Sequence, residues 1–522
     1  MDRLSQAVHV ITVLPVQLVA PVSKIKAAAT AAALLIVTVL SGATDSAAAP
    51  ETSAGAPRTA RCHADLPRVR HLVLFEPGTG ADAVRAEIDA ACGELSGYYP
   101  EIAVAVATSG DSAFADRLGR DRAYSAEAEA IARPARRAAG TLPRVVGVQS
   151  TDVLDALPEG AAPEAGTADR TPEQWDMAMI GADRAHDVQR GSQSVLVGVL
   201  DSGVDASHPE LAAALDRSAS AGCITGVPDP RPQAWQPSGQ HGTHVAGIIA
   251  AADDGAGITG VAPGVRIAAV KVVDAGGFIY PEYAMCGLLW AARNGVRVAN
   301  HSYFVDPWLF TCSDRPGQSV VHEALRRATE YATSHGVLSI AAVGNEALNL
   351  AAPRVDGRSP GNAPGGPRPR AVDNRCDVLP AELPGVLTVS AVGATGVKSS
   401  YSSYGADVVD VTAPGGDVRQ RSPSAPSGCV LSTVPGGYAR MCGTSMAAPH
   451  VAGVAALVAS EHPSAGPAEL ASRVASSAAP VECPDGGYDP DSDGTVDALC
   501  VAADTGNGFY GAGLVNALTA IR

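Results

Sequence analysis

The chain runs to 522 residues, 46% hydrophobic and 18% charged, with 55 glycines and 38 prolines. That composition excludes a disordered or fibrous chain and fits a globular, loop-rich protein of more than one domain. A formal net charge of −16 excludes the phosphate backbone of a nucleic acid as partner.

Lys24 and Lys26 stand ahead of an uncharged, largely apolar run, Ala27 to Leu40, followed by "SGATDSAAAP". A basic flank, an apolar segment and small residues after it are the parts of a secretory signal peptide. It is assigned to residues 1–49, with the cut between Ala43 and Ala49. The run is shorter than the roughly twenty residues of a spanning helix. No stable membrane anchor is therefore expected, and the mature protein is expected to be secreted. Export makes the ten cysteines readable as disulfides. Short loops favour Cys429–Cys442 and Cys483–Cys500, and Cys62–Cys92 would close within the N-terminal region. Cys286, in the helical run "YAMCGLLWAARNG", stays open as a buried thiol.

Residues 50–165 read as a first module and a linker. "HLVLF" predicts a strand, "ADAVRAEIDAACGEL" a helix and "EIAVAVA" a strand; "AFADRLGRDRAYSAEAEAIARPARR" is mostly helical, and "RVVGVQ" is a last strand. Such alternation over about 66–150 suggests a small α+β module. The stretch "STDVLDALPEGAAPEAGTADRTPEQ" has no period and reads as an exposed linker open to cleavage.

The pattern changes over residues 170–522. "SVLVGVLDSG", "VRIAAVKVVD", "VRVANHS", "VLSIAAVGN" and "GVLTVSAV" are near-continuous apolar strands. Between them lie the helical runs "HGTHVAGIIAA", "YAMCGLLWAARNG" and "HEALRRATEYATSHG". Apolar strands alternating with helices indicate an α/β fold on a mostly parallel sheet. In such sheets chemistry collects at the carboxyl ends of the strands. Asp201 and Asn345 each end a strand there, and His241 opens a helix.

The segment "GTSMAAPHVAGVAAL" places Ser445 at the start of a helix. A backbone N–H at that point is unpaired and lies at the positive end of the helix dipole. It can hold an oxyanion formed when the hydroxyl attacks a carbonyl. Pro449 is placed in the first turn or so, where its missing donor costs least. Ser445 is also a good N-cap, and that plainer reading stands beside the chemical one. His241 can act as base for the serine. Asp201, at the end of a buried strand, needs a partner and can orient that imidazole. Asn345 can donate its amide to the oxyanion, or can be a turn residue after Gly344. A metal site on His241, His244 and Asp201 is the rival, but no acidic base stands between the two histidines as a zinc hydrolase helix requires. An α/β-hydrolase would need the order Ser, Asp, His.

In the order Asp, His, Asn, Ser, the blocks "VGVLDSGVDASHPEL", "HGTHVAGIIAA", "AAVGNE" and "GTSMAAPHVAGVAAL" resemble the subtilisin family of serine endopeptidases. The resemblance covers about Trp175 to Arg522. It implies a three-layer α/β fold, and it makes the first module similar to the family's ferredoxin-like propeptides. Ser445 is then the nucleophile, His241 the base and Asp201 its orienting partner, with Asn345 and the Ser445 N–H as the oxyanion hole. The substrate is a polypeptide added as a strand on an exposed edge near Ser302. The propeptide is an intramolecular inhibitor, the protein a monomer, and the chemistry needs no cofactor. Two departures stand out: Tyr303 and Phe304 in "YFVDPW" would crowd the specificity pocket, and a long loop after Asn345 would form a lid or be disordered. Asp489, Asp491 and Asp493 in "DPDSDGTVD" begin like a calcium loop, but Cys500 stands where Glu is needed, and an Asp/Gly turn is the plainer account. The alternative function is a catalytically inactive binding protein on the same fold.

Overall fold

The computed structural model describes residues 62–132 and 168–522. The signal-peptide assignment, the strand read at "RVVGVQ" and most of the linker lie outside these residues.

The first segment is built from β1 (Val69–Leu74), α1 (Ala81–Ala90), β2 (Glu94–Tyr99), β3 (Val104–Ser109), α2 (Phe114–Leu118), β4 (Ala123–Tyr124) and α3 (Ala126–Ala132). Its four strands form an antiparallel sheet in the order β2–β3–β1–β4, a βαββαβ arrangement. The helical pattern of "ADAVRAEIDAACGEL" stops early: Cys92 has φ 74° and Glu94 already belongs to β2. The chain turns there against α2, and a glycine is needed at 93 because a Cβ would lie 2.3 Å from the Phe114 ring. The stretch read as mostly helical from 113 is so over its described part, as two helices, α2 and α3, separated by β4.

The second segment contains α4 (Trp175–Met179), β5 (Leu196–Asp201), β6 (Ala221–Gly222), α5 (His241–Ala250), β7 (Arg266–Lys271), α6 (Pro281–Arg293), β8 (Val298–His301), α7 (Gln318–Ser334), β9 (Leu338–Ala342), β10 (Val386–Val392), β11 (Val411–Pro414), β12 (Val430–Val434), β13 (Gly437–Met441), α8 (Thr444–Glu461) and α9 (Pro467–Ser476). Seven parallel strands make one sheet, ordered β11–β10–β9–β8–β5–β7–β6. The central strands β5, β9 and β10 are buried along their whole length, which is why they read as unbroken apolar runs. One face packs on α5 and α8. The other packs on α6 and α7. On this second face Leu72, Val104 and Val106 of the first segment join Tyr283, Leu288 and Leu325 in one core.

Helix α8 runs through the interior, buried from Thr444 to Ala459. Only small residues allow this. A Cβ at Gly453 would sit 2.5 Å from the Val261 Cβ. All ten cysteines are paired: Cys62–Cys92, Cys223–Cys286, Cys312–Cys376, Cys429–Cys442 and Cys483–Cys500. Cys286 is thus bonded rather than a free thiol. The loop after Asn345 is ordered. Val355–Asp356 pairs with Arg370–Ala371, and Arg370 bridges to Asp356 at 2.7 Å. The buried Lys398 ammonium lies 4.8 Å from the ring centre of Tyr488, 5.4 Å from Tyr404 and 5.6 Å from Phe509. Burial pulls its pKa down to about 7. Among the described residues no helix is long and apolar enough to cross a membrane.

Gly453 gives a direct test of the packing. Alanine would gain about 1 kcal/mol of helix propensity, but overpacking a close-packed core costs about 1–3 kcal/mol. The clash with a Cβ cannot be relieved by rotating a side chain, so the second effect wins. Gly453→Ala is expected to lower the thermal midpoint by several degrees, read by calorimetry on a Ser445→Ala background.

Candidate active site

Asp201 is the last residue of β5, beside β7 and β8, with 1% of its surface exposed. A carboxylate so buried must be hydrogen-bonded. Its Oδ1 accepts the Ser202 N–H at 2.6 Å and lies 2.7 Å from His241 Nδ1. His241 opens α5, and Gly242 lets the helix start come this close: a Cβ there would lie 2.3 Å from the Gly203 carbonyl and 3.1 Å from Asp201 Oδ1. The Ser202 hydroxyl accepts the Gly242 N–H at 3.0 Å, fixing the helix start to the strand end. His241 Nε2 is buried and makes no hydrogen bond.

Ser445 is the second residue of α8. The Thr444 N–H donates to Asn345 Oδ1 at 2.8 Å, and the Met446 N–H to the Gly443 carbonyl at 2.9 Å. The Ser445 N–H between them, in the first turn, has no intrahelical acceptor. Asn345 is delivered past the end of β9 by Gly344, whose φ of +103° is a conformation suited to glycine. Because Asn345 Oδ1 also accepts the Thr444 hydroxyl at 2.8 Å, its amide group is fixed with Nδ2 on the other side. A point where a Gly443 Cβ would stand is 3.6 Å from both Asn345 Nδ2 and the Ser445 nitrogen. Two donors therefore flank one small space beside the serine.

Pro449 is the sixth residue of α8, inside the helix rather than in its first turn. Lacking an N–H, it leaves the Ser445 carbonyl without its i+4 donor. The Ser302 hydroxyl fills that role at 2.9 Å. Ser302 in turn accepts from Asn300 Nδ2 at 2.9 Å, and its carbonyl accepts the Ser445 hydroxyl at 3.2 Å. Ser302 is thus committed to the nucleophile's own turn. The exposed edge expected near it is absent in the main sheet: β8 is paired on both sides through His301, with Leu200 and Ala341. Only the chain from Ser302 onward has left the ladder.

Tyr303 turns inward, its hydroxyl 2.8 Å from His301 Nδ1, so it does not crowd the site. Phe304 is half-buried, with the Arg358 guanidinium 5.9 Å from its ring centre. Arg358 donates to Glu346 at 2.7 Å. Burial raises the pKa of Glu346, beside Asn345, against the pull of that arginine. His244 does not join His241 and Asp201 around a common centre. Its Nε2 lies 3.2 Å from the Ala439 carbonyl, and burial pulls its pKa down to about 3. At the far loop, ligand atoms of Asp489, Asp491 and Asp493 lie within 4.8 Å of one another. Asp489 accepts the Asp493 and Gly494 N–H groups, the turn that an Asp/Gly sequence makes. The three carboxylates would supply part of the six to eight oxygens that calcium takes, but Cys500, where a calcium loop needs Glu, is held in a disulfide. Thr444, Ser202 and Asn300 carry the site's supporting hydrogen bonds. Thr444 and Ser202 stand inside the blocks that hold Ser445 and Asp201, but nothing in those blocks states their roles, which follow from contacts between distant segments.

The chain is similar to several known proteins. The pattern of the subtilase family matches residues 192–513. Subtilisin NAT of Bacillus subtilis subsp. natto is 32% identical over 305 residues, 58% of this chain, and the chain spans 65% of that protein's length. Subtilisin of Bacillus pumilus is 33% identical over 305 residues, 58% of this chain and 90% of that one. Among solved structures, the epidermin leader peptide processing serine protease EpiP of Staphylococcus aureus shares the fold, with a TM-score of 0.61 and 17% identity over 87% of this chain and 98% of that one. A lanthipeptide protease has a TM-score of 0.50 and 28% identity, over 67% of this chain and 95% of that one. With its family pattern spread over the sheet and all the helices that carry Asp201, His241, Asn345 and Ser445, the chain belongs to the subtilase family.

Proposed function

We propose that the chain is a secreted serine endopeptidase, made with a signal peptide over 1–49 and a propeptide over 50–165, with its catalytic domain over 170–522. The observation that carries this reading is the His241 ring: held by Asp201 at 2.7 Å on one nitrogen and left with a bare, buried nitrogen on the other. That is the arrangement of a base awaiting a proton.

In the reaction, His241 Nε2 takes the Ser445 proton as the hydroxyl, turned from the Ser302 carbonyl, attacks the scissile carbonyl carbon. Asp201 keeps the other ring proton on Nδ1 and stabilises the imidazolium. The carbonyl oxygen becomes an oxyanion held by the Ser445 N–H and Asn345 Nδ2. His241 then protonates the leaving amine, an acyl-enzyme forms on Ser445, and water releases it by the same steps. No metal or organic cofactor is assigned a step. Polypeptide substrates are read as binding along the chain that leaves the ladder after His301.

The first segment fits the role of an intramolecular inhibitor through its contact with α6 and α7. Arg70 of β1 donates to the Tyr283 hydroxyl at 2.6 Å and to Glu282 at 3.4 Å, and also pairs with Glu127 at 2.5 Å. Tyr99 donates to the Gly226 carbonyl at 2.7 Å. Arg327 donates to the Phe75 and Ile102 carbonyls. Glu282 and Glu127 thus share one arginine. Burial raises the pKa of Glu282 to about 7. Freed of the segment, Glu282 would titrate near an ordinary carboxylate value. Its protonated form therefore favours the docked state.

Three outcomes are expected. The secreted protein takes up a fluorophosphonate on one serine and digests casein; Ser445→Ala does neither, and casein digestion by that variant would remove the nucleophile assignment. Asn345→Ala lowers kcat by about 10²–10³, with little change in KM, in steady-state assays on a peptide ester. Docking of the first segment is strongest below the ordinary glutamate value of about 4.3, weakens steadily as pH rises from there, and has lost this contribution once pH passes about 7. Glu282→Gln flattens that dependence, read by the rate at which the cleaved segment separates on gel filtration.

A further inference from the structure

A second Asp–His pair lies behind the nucleophile and takes no part in the steps above. His450 stands five residues after Ser445 on α8. Its Nδ1 is 2.7 Å from the Met446 carbonyl oxygen, and its Nε2 is 3.0 Å from Asp176 Oδ2. Asp176 comes from α4, and both side chains are wholly shielded from solvent.

The hydrogen bonds fix the number of protons. A carbonyl oxygen only accepts, so His450 Nδ1 carries a hydrogen. An ionised carboxylate also only accepts, so Nε2 must then carry a second one; if it does not, Asp176 itself must be the protonated partner. Either way the pair holds one proton more than a neutral imidazole beside a carboxylate. This leaves the pair with no net charge, as burial demands. The need is sharpened by Asp176 Oδ1, which is buried without a partner.

The surroundings do not supply another counter-charge. From α5, His244 faces the pair and is kept neutral mainly by burial and further by His241 and His450; His241 and Asp201 lie beyond it, bonded to each other. Ahead of α4, Glu173 pairs with Arg170 at 2.8 Å and with Arg440 of β13. Among the described residues neither Asp176 nor His450 bonds to a Lys or Arg.

We propose that Asp176 and His450 are positioning residues for the nucleophile: their shared proton keeps His450 donating to the Met446 carbonyl and so holds the first turn of α8, with Ser445 and its N–H, against α4. This rests on Ser445 being the nucleophile. When the proton leaves, a ring lone pair faces the carboxylate, or the ring abandons Met446. The anchored turn is therefore present while the proton is held and is lost as pH rises past its release. Turnover falls with it, whereas the residues that bind substrate are elsewhere and KM stays.

The test compares two substitutions at 176. In Asp176→Asn the amide N–H donates to Nε2 of a neutral His450, so Nδ1 keeps its bond to Met446 without any shared proton. Asp176→Ala removes the partner. With active enzyme counted by fluorophosphonate uptake, Asp176→Ala is expected to lose about 10²-fold in kcat, the scale of a misplaced reacting group, with KM unchanged. Asp176→Asn restores most of kcat near neutral pH and moves the alkaline fall of kcat up by at least about one pH unit. Superimposable alkaline limbs for Asp176→Asn and wild type, or an unaltered kcat in Asp176→Ala, would overturn the proposal. Wild type that takes up no fluorophosphonate would instead defeat the protease reading. The proton count is read without activity, in full-length Ser445→Ala protein, from nitrogen-15 shifts of the His450 ring and the carbon-13 shift of the Asp176 carboxyl. A neutral ring beside an ionised carboxylate at neutral pH sinks the proposal even where the position-176 variants fail to fold.

Discussion

A carboxylate at the end of a buried parallel strand has to find a partner, and much of the site follows from how Asp201 finds one. With 1% of its surface exposed, it can stay ionised only by hydrogen bonding. Both bonds fall on Oδ1, one from the Ser202 N–H and one with the His241 ring, while Oδ2 is buried without a partner. To bring that ring within 2.7 Å, α5 must begin almost on top of the strand end, which requires a glycine at 242. The same helix is clamped from behind by the β12–β13 hairpin, where Ser432 and Thr433 hydroxyls donate to the His244 and Thr243 carbonyls at 2.7 and 2.8 Å. The orientation of a single imidazole thus depends on a strand, a helix and a hairpin together.

Helix α8 solves a different problem. Its start must be exposed to chemistry while its body crosses the core. Small residues make the body thin enough, and the start is tied down from outside the helix by Asn345 on Thr444, by Ser302 on the Ser445 carbonyl, and by Asp176 acting through His450, the helix's own residue, on the Met446 carbonyl. Pro449 makes one of these ties possible. By withholding a helical donor it frees the Ser445 carbonyl for the Ser302 hydroxyl, so a residue that weakens the helix locally strengthens its attachment to β8.

What was legible in the sequence divides along physical lines. The central strands and the helices α5, α6, α7 and α8 show in the sequence because they are buried on long apolar faces, and burial of that kind leaves a continuous pattern. Asp201, His241, Asn345 and Ser445 show because each stands where such a pattern stops. Short or half-exposed elements do not show. Strand β2 is half-buried and begins where α1 still looks helical, and β4 is two residues long. Position relative to the sheet is invisible too: β8 reads as a strand, but only strand order reveals that it is central and paired on both sides through His301, so that only the chain beyond it is open. Tyr303 looks like a pocket residue in sequence and is instead the partner of His301. Supporting residues such as Thr444, Ser202 and Asp176 are the hardest, since each is defined by a contact from 40 to 274 positions away.

The two Asp–His pairs make opposite demands on one kind of contact. Asp201 meets a ring whose far nitrogen has no hydrogen-bond partner, so that nitrogen can exchange a proton. Asp176 meets a ring whose far nitrogen is already spent on a carbonyl, so the proton between them has no second path and stays with the pair until rising pH removes it. The first pair suits turnover because one side is open; the second suits anchoring because neither side is. His244, which faces both histidines, is kept neutral mainly by burial and so adds no positive charge beside either ring. Chemistry at the end of β5 and rigidity at the start of α8 therefore use the same two side-chain types, separated only by what the second ring nitrogen is given to do.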